Sequence, residues 1–223
     1  MNDHAVEEIE HAGLHVKIYY DEDPMDPREW DNLGRMFCFH PRYDLGDKHD
    51  LSIHMFEDMG WDEILAWTKE EEGAEVFLPL HLLDHSGLSI STSDFNDTWD
   101  SGVVGFICDT AETRKLMGFE LDRFGRDVDA RAHILEVLMG EVKTYDQYLQ
   151  GDIYGFVVED EDGDTLDSCW GFFGTEDALN EGKAMAEWHA KDIAAERAQE
   201  NARAIARTAT LAWNGEEIDI GHE

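Results

Sequence analysis

Residues 76–108 read VFLPLHLLDHSGLSIST, then SDFNDTWDSG, then VVGFIC. Two apolar runs rich in Leu, Ile, Val and Phe flank a polar bridge that holds Asp94, Asp97, Trp99 and Asp100. The pattern predicts a buried strand, a Ser-Gly turn, a second strand, an acidic aromatic loop and a third strand. Chain-adjacent strands with short connections pair antiparallel. This stretch therefore sets the core sheet.

Outward from it, HVKIYY (15–20), MFCFH (36–40) and LSIHMF (51–56) read as further strands, and residues 1–13 as a loose lead-in. DEDPMDP (21–27) stops the first of these strands, and residues 28–34 follow as a helical turn or loop. A helix is expected over 61–73, a short one over 110–117 capped by Thr110 or Asp109, and a longer one over 127–149. In the last, Leu135, Leu138, Val142, Tyr145 and Leu149 form one stripe, and Gly151 ends it. DIYGFVV and TLDSCWGFF flank an Asp-Gly pair that suits a tight two-residue hairpin. On the return strand Ser168, Trp170 and Phe172 share a face by simple alternation. An alanine-rich helix then runs from 176 to about 208, its far half light in large apolar groups, as in an arm or a self-pairing helix. The order predicts an α+β fold, a mainly antiparallel sheet packed by two or three helices, with a long C-terminal helix. The expected division is an acidic body, 1–174, and a helical arm and tail, 175–223.

Charge is the strongest functional signal. The chain has 17 Lys and Arg against 52 Asp and Glu, a net charge of −35, and both halves share the imbalance. A field of that sign repels nucleic acid and anionic membrane and draws in basic surfaces. No basic stripe is present, so direct nucleic-acid binding is not expected. Two causes fit the acidity: carboxylates standing in for phosphates on a DNA-binding partner, or carboxylates holding a protein soluble in concentrated salt, a halophile-like composition. Cys38, Cys108 and Cys169 are odd in number and without paired spacing, as in a reduced, cytoplasmic protein. The opening MNDHAVEEIEH lacks the marks of a signal peptide, and no apolar run approaches ~20 residues.

No motif specifies a catalytic reaction. His81 and His85 share a face if both lie on one strand, and with Asp84, Asp97 or Asp100 they are the weak candidate for a metal site of a small hydrolase. Histidines serving as ordinary hydrogen-bonding groups explain them as well. Ser86, Ser101 and Ser168 lack a nucleophile-elbow context. Asp160, Asp162 and Asp164 open like a calcium loop, but glycine falls at the fourth place and Gly171 stands where a closing Glu belongs. No cofactor is implied. The candidate partner-binding residues are Asp21, Glu22, Asp23, Asp26, Glu29 and Trp30; Asp94, Asp97, Trp99 and Asp100; and Glu159, Asp160, Glu161 and Asp162. Glu70, Glu71, Glu72 and Glu75 form a further cluster. The tryptophans would serve as apolar anchors at the edges of the acidic patches.

The blocks YYDEDPMDPREWDNLG (19–34), FLPLHLLDHSG (77–87), FNDTWDSGVVGFI (95–107), YDQYLQGDIYGFVVED (145–160) and DSCWGFFG (167–174) resemble a group of uncharacterised phage and mobile-element proteins. The resemblance implies a viral setting in a host cytoplasm and transfers no catalytic residue. It makes the expected role that of an anti-defence binding protein, possessing a basic, nucleic-acid-binding host protein as partner. Self-association through the C-terminal helix, and a virion or assembly role in a salt-loving virus, are the alternatives.

Overall fold

The computed structural model describes residues 4–96, 99–119 and 128–213. The fold is α+β, and the strands form two separate four-stranded antiparallel sheets rather than one. The chain divides into two compact units: a middle unit, Glu22–Ile153, and a terminal unit made of Met1–Asp21 with Tyr154–Glu223.

In the middle unit the sheet order is β3 (Gly34–Cys38), β6 (Ser101–Asp109), β4 (Phe77–Asp84), β5 (Leu88–Ser91), the last three being the strands of the deciding stretch. The sheet is covered on both faces. Helix α4 (Val128–Gln150) lays Ile134, Leu138, Val142 and Tyr145 on Met36, Leu80, Leu82, Ile90 and Ile107. Leu135 points away and is 36% exposed, because it falls one residue beside the buried i, i+4 row. On the opposite face α2 (Trp61–Glu71) packs Ile64 and Trp67 on Phe37, Phe39, Phe77 and Phe106. Phe37 and Phe106 stack at 4.8 Å between centroids, and Trp67 meets Phe37 edge-on at 5.8 Å. Gly105 lets the backbones close up: a Cβ there would stand 1.9 Å from the Phe37 carbonyl oxygen. Between β3 and α2, residues 53–58 form helix α1 (Ile53–Asp58), not the strand expected at 51–56; a short apolar run does not by itself distinguish the two. Thr110 caps α3 (Ala111–Leu116) by accepting from the Thr113 amide at 3.1 Å.

The terminal unit has the order β1 (Glu7–His11), β2 (Leu14–Tyr20), β7 (Ile153–Glu159), β8 (Thr165–Phe173). The expected loose lead-in is thus partly strand. β1 folds back on β2 through Ala12 and Gly13, both with positive φ (54° and 81°), as a two-residue I′ turn requires. Alternation puts Leu14, Val16, Ile18, Tyr154, Phe156 and Val158 on one face, under helix α5 (Thr175–Trp213). Gly182 sits at the closest approach, where a Cβ would come within 2.6 Å of Val16 Cγ1. The β7–β8 connection is longer than the tight turn expected. Asp160 N–H donates to the Asp164 carbonyl, Gly163 N–H to that of Asp160, and Gly163 takes φ +85°. Asp160 also accepts from the Asp162 and Asp164 amides at 3.0 and 2.9 Å, which makes it the internal brace of the turn. Simple alternation fails on β8. Trp170 lies over Gly155, while Phe172 packs on Phe156 from the other face, because Gly171 at φ +88° breaks the parity.

Candidate partner-binding surfaces

The acidic segment 22–30 is built around a cation that points inward. Asp26 accepts from the Arg28 amide at 2.8 Å and Pro27 starts a single 3-10 turn, leaving Glu29 and Trp30 exposed. Arg28 turns the other way, its side chain 3% exposed. Its Nε and Nη2 donate to Asp47 at 3.0 and 2.7 Å, its Nη1 to Glu141 at 3.2 Å, and its Nη2 to the Gly34 carbonyl at 2.7 Å. Burial opposes the charge, but the bonds and fields of Asp47 and Glu141 outweigh it, so the Arg28 pKa lies above its ordinary value. Glu141 also accepts from the Leu33 and Gly34 amides. Burial nevertheless holds its pKa above the ordinary carboxylate range, against the pull of Arg28 and those amides. The outward charge of this segment thus rests on an ion-paired base inside the unit.

The second group lies in the β5–β6 connection. Asp94 accepts from the Asn96 amide at 3.3 Å, Trp99 is 92% exposed, and Asp97 lies outside the described residues. Asp100 bonds His85 Nδ1 at 2.9 Å, and its carbonyl accepts from the Asp84 amide. Register shows that this group and the 22–30 segment flank opposite ends of the sheet. The 3-10 turn leads into Gly34, which pairs with Asp109; the loop leads into Ser101, which pairs with Leu83. The nine residues of β6, eight steps and about 26 Å of extended chain, span those ends. The two clusters do not merge into one patch.

The imidazoles of the candidate metal site are also kept apart. β4 ends at Asp84, so His85 falls in the turn with Ser86 and Gly87 instead of continuing the face of His81. Asp84 binds the Arg42 guanidinium, and His81 stands mid-sheet between Ser91 and Val103. Among the described residues no three His, Cys, Asp or Glu side chains form a group suited to a metal ion.

The glutamates after α2 have partners the sequence did not reveal. Glu72 binds Arg35 at 2.7 Å and Glu75 binds Arg131 at 3.2 Å. Buried Asp109 accepts from the Glu75 and Val76 amides and pairs with Arg114. These ties offset the unfavourable placement of acids at a helix C-terminus. A cavity of about 260 Å³ in the same unit is lined by His40, Tyr43, Lys48 and His49. His49 Nε2 bonds the Cys38 carbonyl at 3.0 Å, so it carries the proton and Nδ1 is left as a buried acceptor without a protein donor. Burial and neighbouring Arg42 hold the His40 pKa below its ordinary value, and its Nδ1 accepts from the Arg42 and Tyr43 amides.

In the terminal unit the acids of the β7–β8 turn divide by task. Glu159 is tied to Lys17 at 2.6 Å, and that bond holds the Lys17 pKa above its ordinary value. Asp160 braces the turn, which leaves Glu161, Asp162 and Asp164 as its exposed charges. Glu161 and Asp162 line a groove of about 720 Å³ together with Leu14, Leu166, Ala190, Ile193 and Ala198, and Arg197 lies in the same lining. Here candidate carboxylates adjoin an apolar recess. Asp21 belongs to this unit, whereas Glu22 to Trp30 belong to the other.

No family model, curated protein or solved structure matches the chain.

Proposed function

We propose that this protein is a non-enzymatic, phage-type binding protein whose surface carboxylates engage a basic, nucleic-acid-binding face of a host defence protein. The observation that carries this reading is the excess of acid in both units: 6 basic against 22 acidic residues in the terminal unit, 11 against 30 in the middle one. The bases are partly consumed, since Lys17, Arg28, Arg35, Arg42, Arg114 and Arg131 each hold a carboxylate. What remains outside is more uniformly anionic than composition alone conveys. Opposite placement of the 22–30 and 94–100 groups favours separate electrostatic contacts over a single band mimicking one DNA strand. Contact by Glu22, Asp23, Glu29 and Trp30 answers best to a basic protein surface, because Trp30 supplies an apolar anchor beside the charges.

The test is competition. A host nucleic-acid-binding protein recovered at low salt is challenged with labelled DNA, with and without this protein. Displacement of the DNA, weakening steeply as salt rises, is expected. Displacement unaffected by Glu22→Lys with Asp23→Lys and Glu29→Lys would refute the contact. The second reading, salt adaptation, draws on the same even spread of charge over both units. It requires unfolding below molar salt, which far-UV circular dichroism detects.

A further inference from the structure

We propose that the cavity formed by residues 38–51 of the middle unit binds a free α-amino acid with an apolar side chain, as the zwitterion. The inference lies outside the reading above and needs no basic partner. It starts from two histidines that the backbone sets in opposite senses. His40 Nδ1 accepts from the Arg42 and Tyr43 amides at 3.3 and 3.2 Å, so its proton sits on Nε2 and that atom is a donor. His49 Nε2 donates to the Cys38 carbonyl at 3.0 Å, and its buried Nδ1 is an acceptor that no protein donor meets. The His49 ring is held in place by packing against Phe39 and Phe37, at 4.9 and 5.4 Å between centroids. A buried acceptor left without a donor is rare in a folded protein, and a ligand N–H would satisfy it.

Charge selects the ligand. Phe37 pairs with Gly46, which folds the segment back and brings both signs to one cavity of about 260 Å³. Lys48 and Asp44 line it, and both are exposed. Asp47 lines it too, but its carboxylate is taken up by Arg28 and the Met36 amide. A plain anion would meet Asp44 in a chain of net −35, and a plain cation would meet Lys48 and the His40 Nε2–H. A zwitterion answers both poles: its ammonium donates to Asp44 and His49 Nδ1, and its carboxylate accepts from Lys48 and His40 Nε2. Being neutral overall, it also escapes the repulsion that the acidic surface exerts on anions. Phe39 and Leu51 supply an apolar wall for its side chain. The volume lies below the ~300–1,000 Å³ typical of sites for drug-sized ligands, which suits a molecule of amino-acid size.

Isothermal titration calorimetry on the full chain tests this, with L-leucine, L-valine and L-methionine as probes. At least one of them is expected to bind with a dissociation constant of about 1 mM or below. Analogues of the best probe that lack one charge, for leucine L-leucinamide and 4-methylpentanoate, should each bind at least about tenfold more weakly. His49→Phe keeps a ring between Phe37 and Phe39 and removes the acceptor, and Lys48→Met removes an exposed cation. Each should weaken binding about tenfold with the circular dichroism spectrum unchanged. If His49→Phe disturbs the fold, Lys48→Met decides. No heat beyond dilution from any of the three probes at about 10 mM overturns the proposal. So does an analogue that matches its parent, or an affinity that survives either substitution in a folded protein.

Discussion

The two sheets have the same strand number and the same antiparallel pairing, yet they are finished differently. The middle sheet is closed over by α4 on one face and α2 on the other, and some carboxylates of its unit pair with Arg28, Arg114 and Arg131. The terminal sheet carries one helix, and its other face holds partly exposed Lys17, Tyr19, Glu159 and Trp170. Its acids stand at the tip of a hairpin beside a groove. The middle region commits part of its charge to its own architecture while still presenting Glu22, Asp23 and Glu29; the terminal hairpin presents Glu161, Asp162 and Asp164.

The sharpest way to break this contrast is to remove the buried base. Arg28→Met leaves Asp47 and Glu141 facing each other without a cation and should cost about 3–5 kcal/mol in urea unfolding. Lys17→Met, the corresponding change in the terminal unit, removes a partly exposed pair and should cost about 1 kcal/mol or less. Equal losses would erase the distinction. Next in size is Gly182→Ala. Its Cβ would collide with Val16, and the overpacking should cost about 1–3 kcal/mol and loosen α5 from its sheet, seen as faster amide exchange there.

Glu141 supplies a pH test. Its folded pKa is raised, so the folded state holds a proton that the unfolded state has already released. Stability contributed by that proton is present at low pH and declines as pH rises from the unfolded carboxylate pKa through the folded one. The unfolding free energy of wild type should therefore fall relative to Glu141→Gln across that window; a difference independent of pH would contradict it. The mildest test is chemical. Burial pushes the Cys38 thiol up to about 12 and that of Cys108 higher still, whereas Cys169 is exposed. Iodoacetamide at pH 8 should label native protein at Cys169 alone and all three thiols only after unfolding.

Much of the secondary structure was legible because it is written in local periodicity. The alternation of 76–108, the row of Leu138, Val142 and Tyr145, and the alanine-rich run after 175 each mark their element within one stretch of chain. The misreadings share a cause. Residues 51–56 are too short for a period to separate helix from strand, and β1 is polar because both its neighbours and solvent tolerate it at a sheet edge. The face of Phe172 depends on one left-handed glycine that alternation ignores. Candidate surfaces were legible only as clusters in sequence. Their separation along β6, and the diversion of Glu72, Glu75 and Glu159 into ion pairs, needed the fold.

By itself the sequence determined an acidic α+β chain with its central strands, its amphipathic helix and its long terminal helix, because charge and periodicity are local properties of a polymer. Only the tertiary structure decided that Lys17 meets Glu159, that Arg28 meets Glu141, and that a β7–β8 turn, a β1–β2 turn and α5 enclose one groove. Those pairings join residues more than a hundred positions apart, and their register is chosen by which apolar faces can be buried together, a choice no single stretch of chain contains.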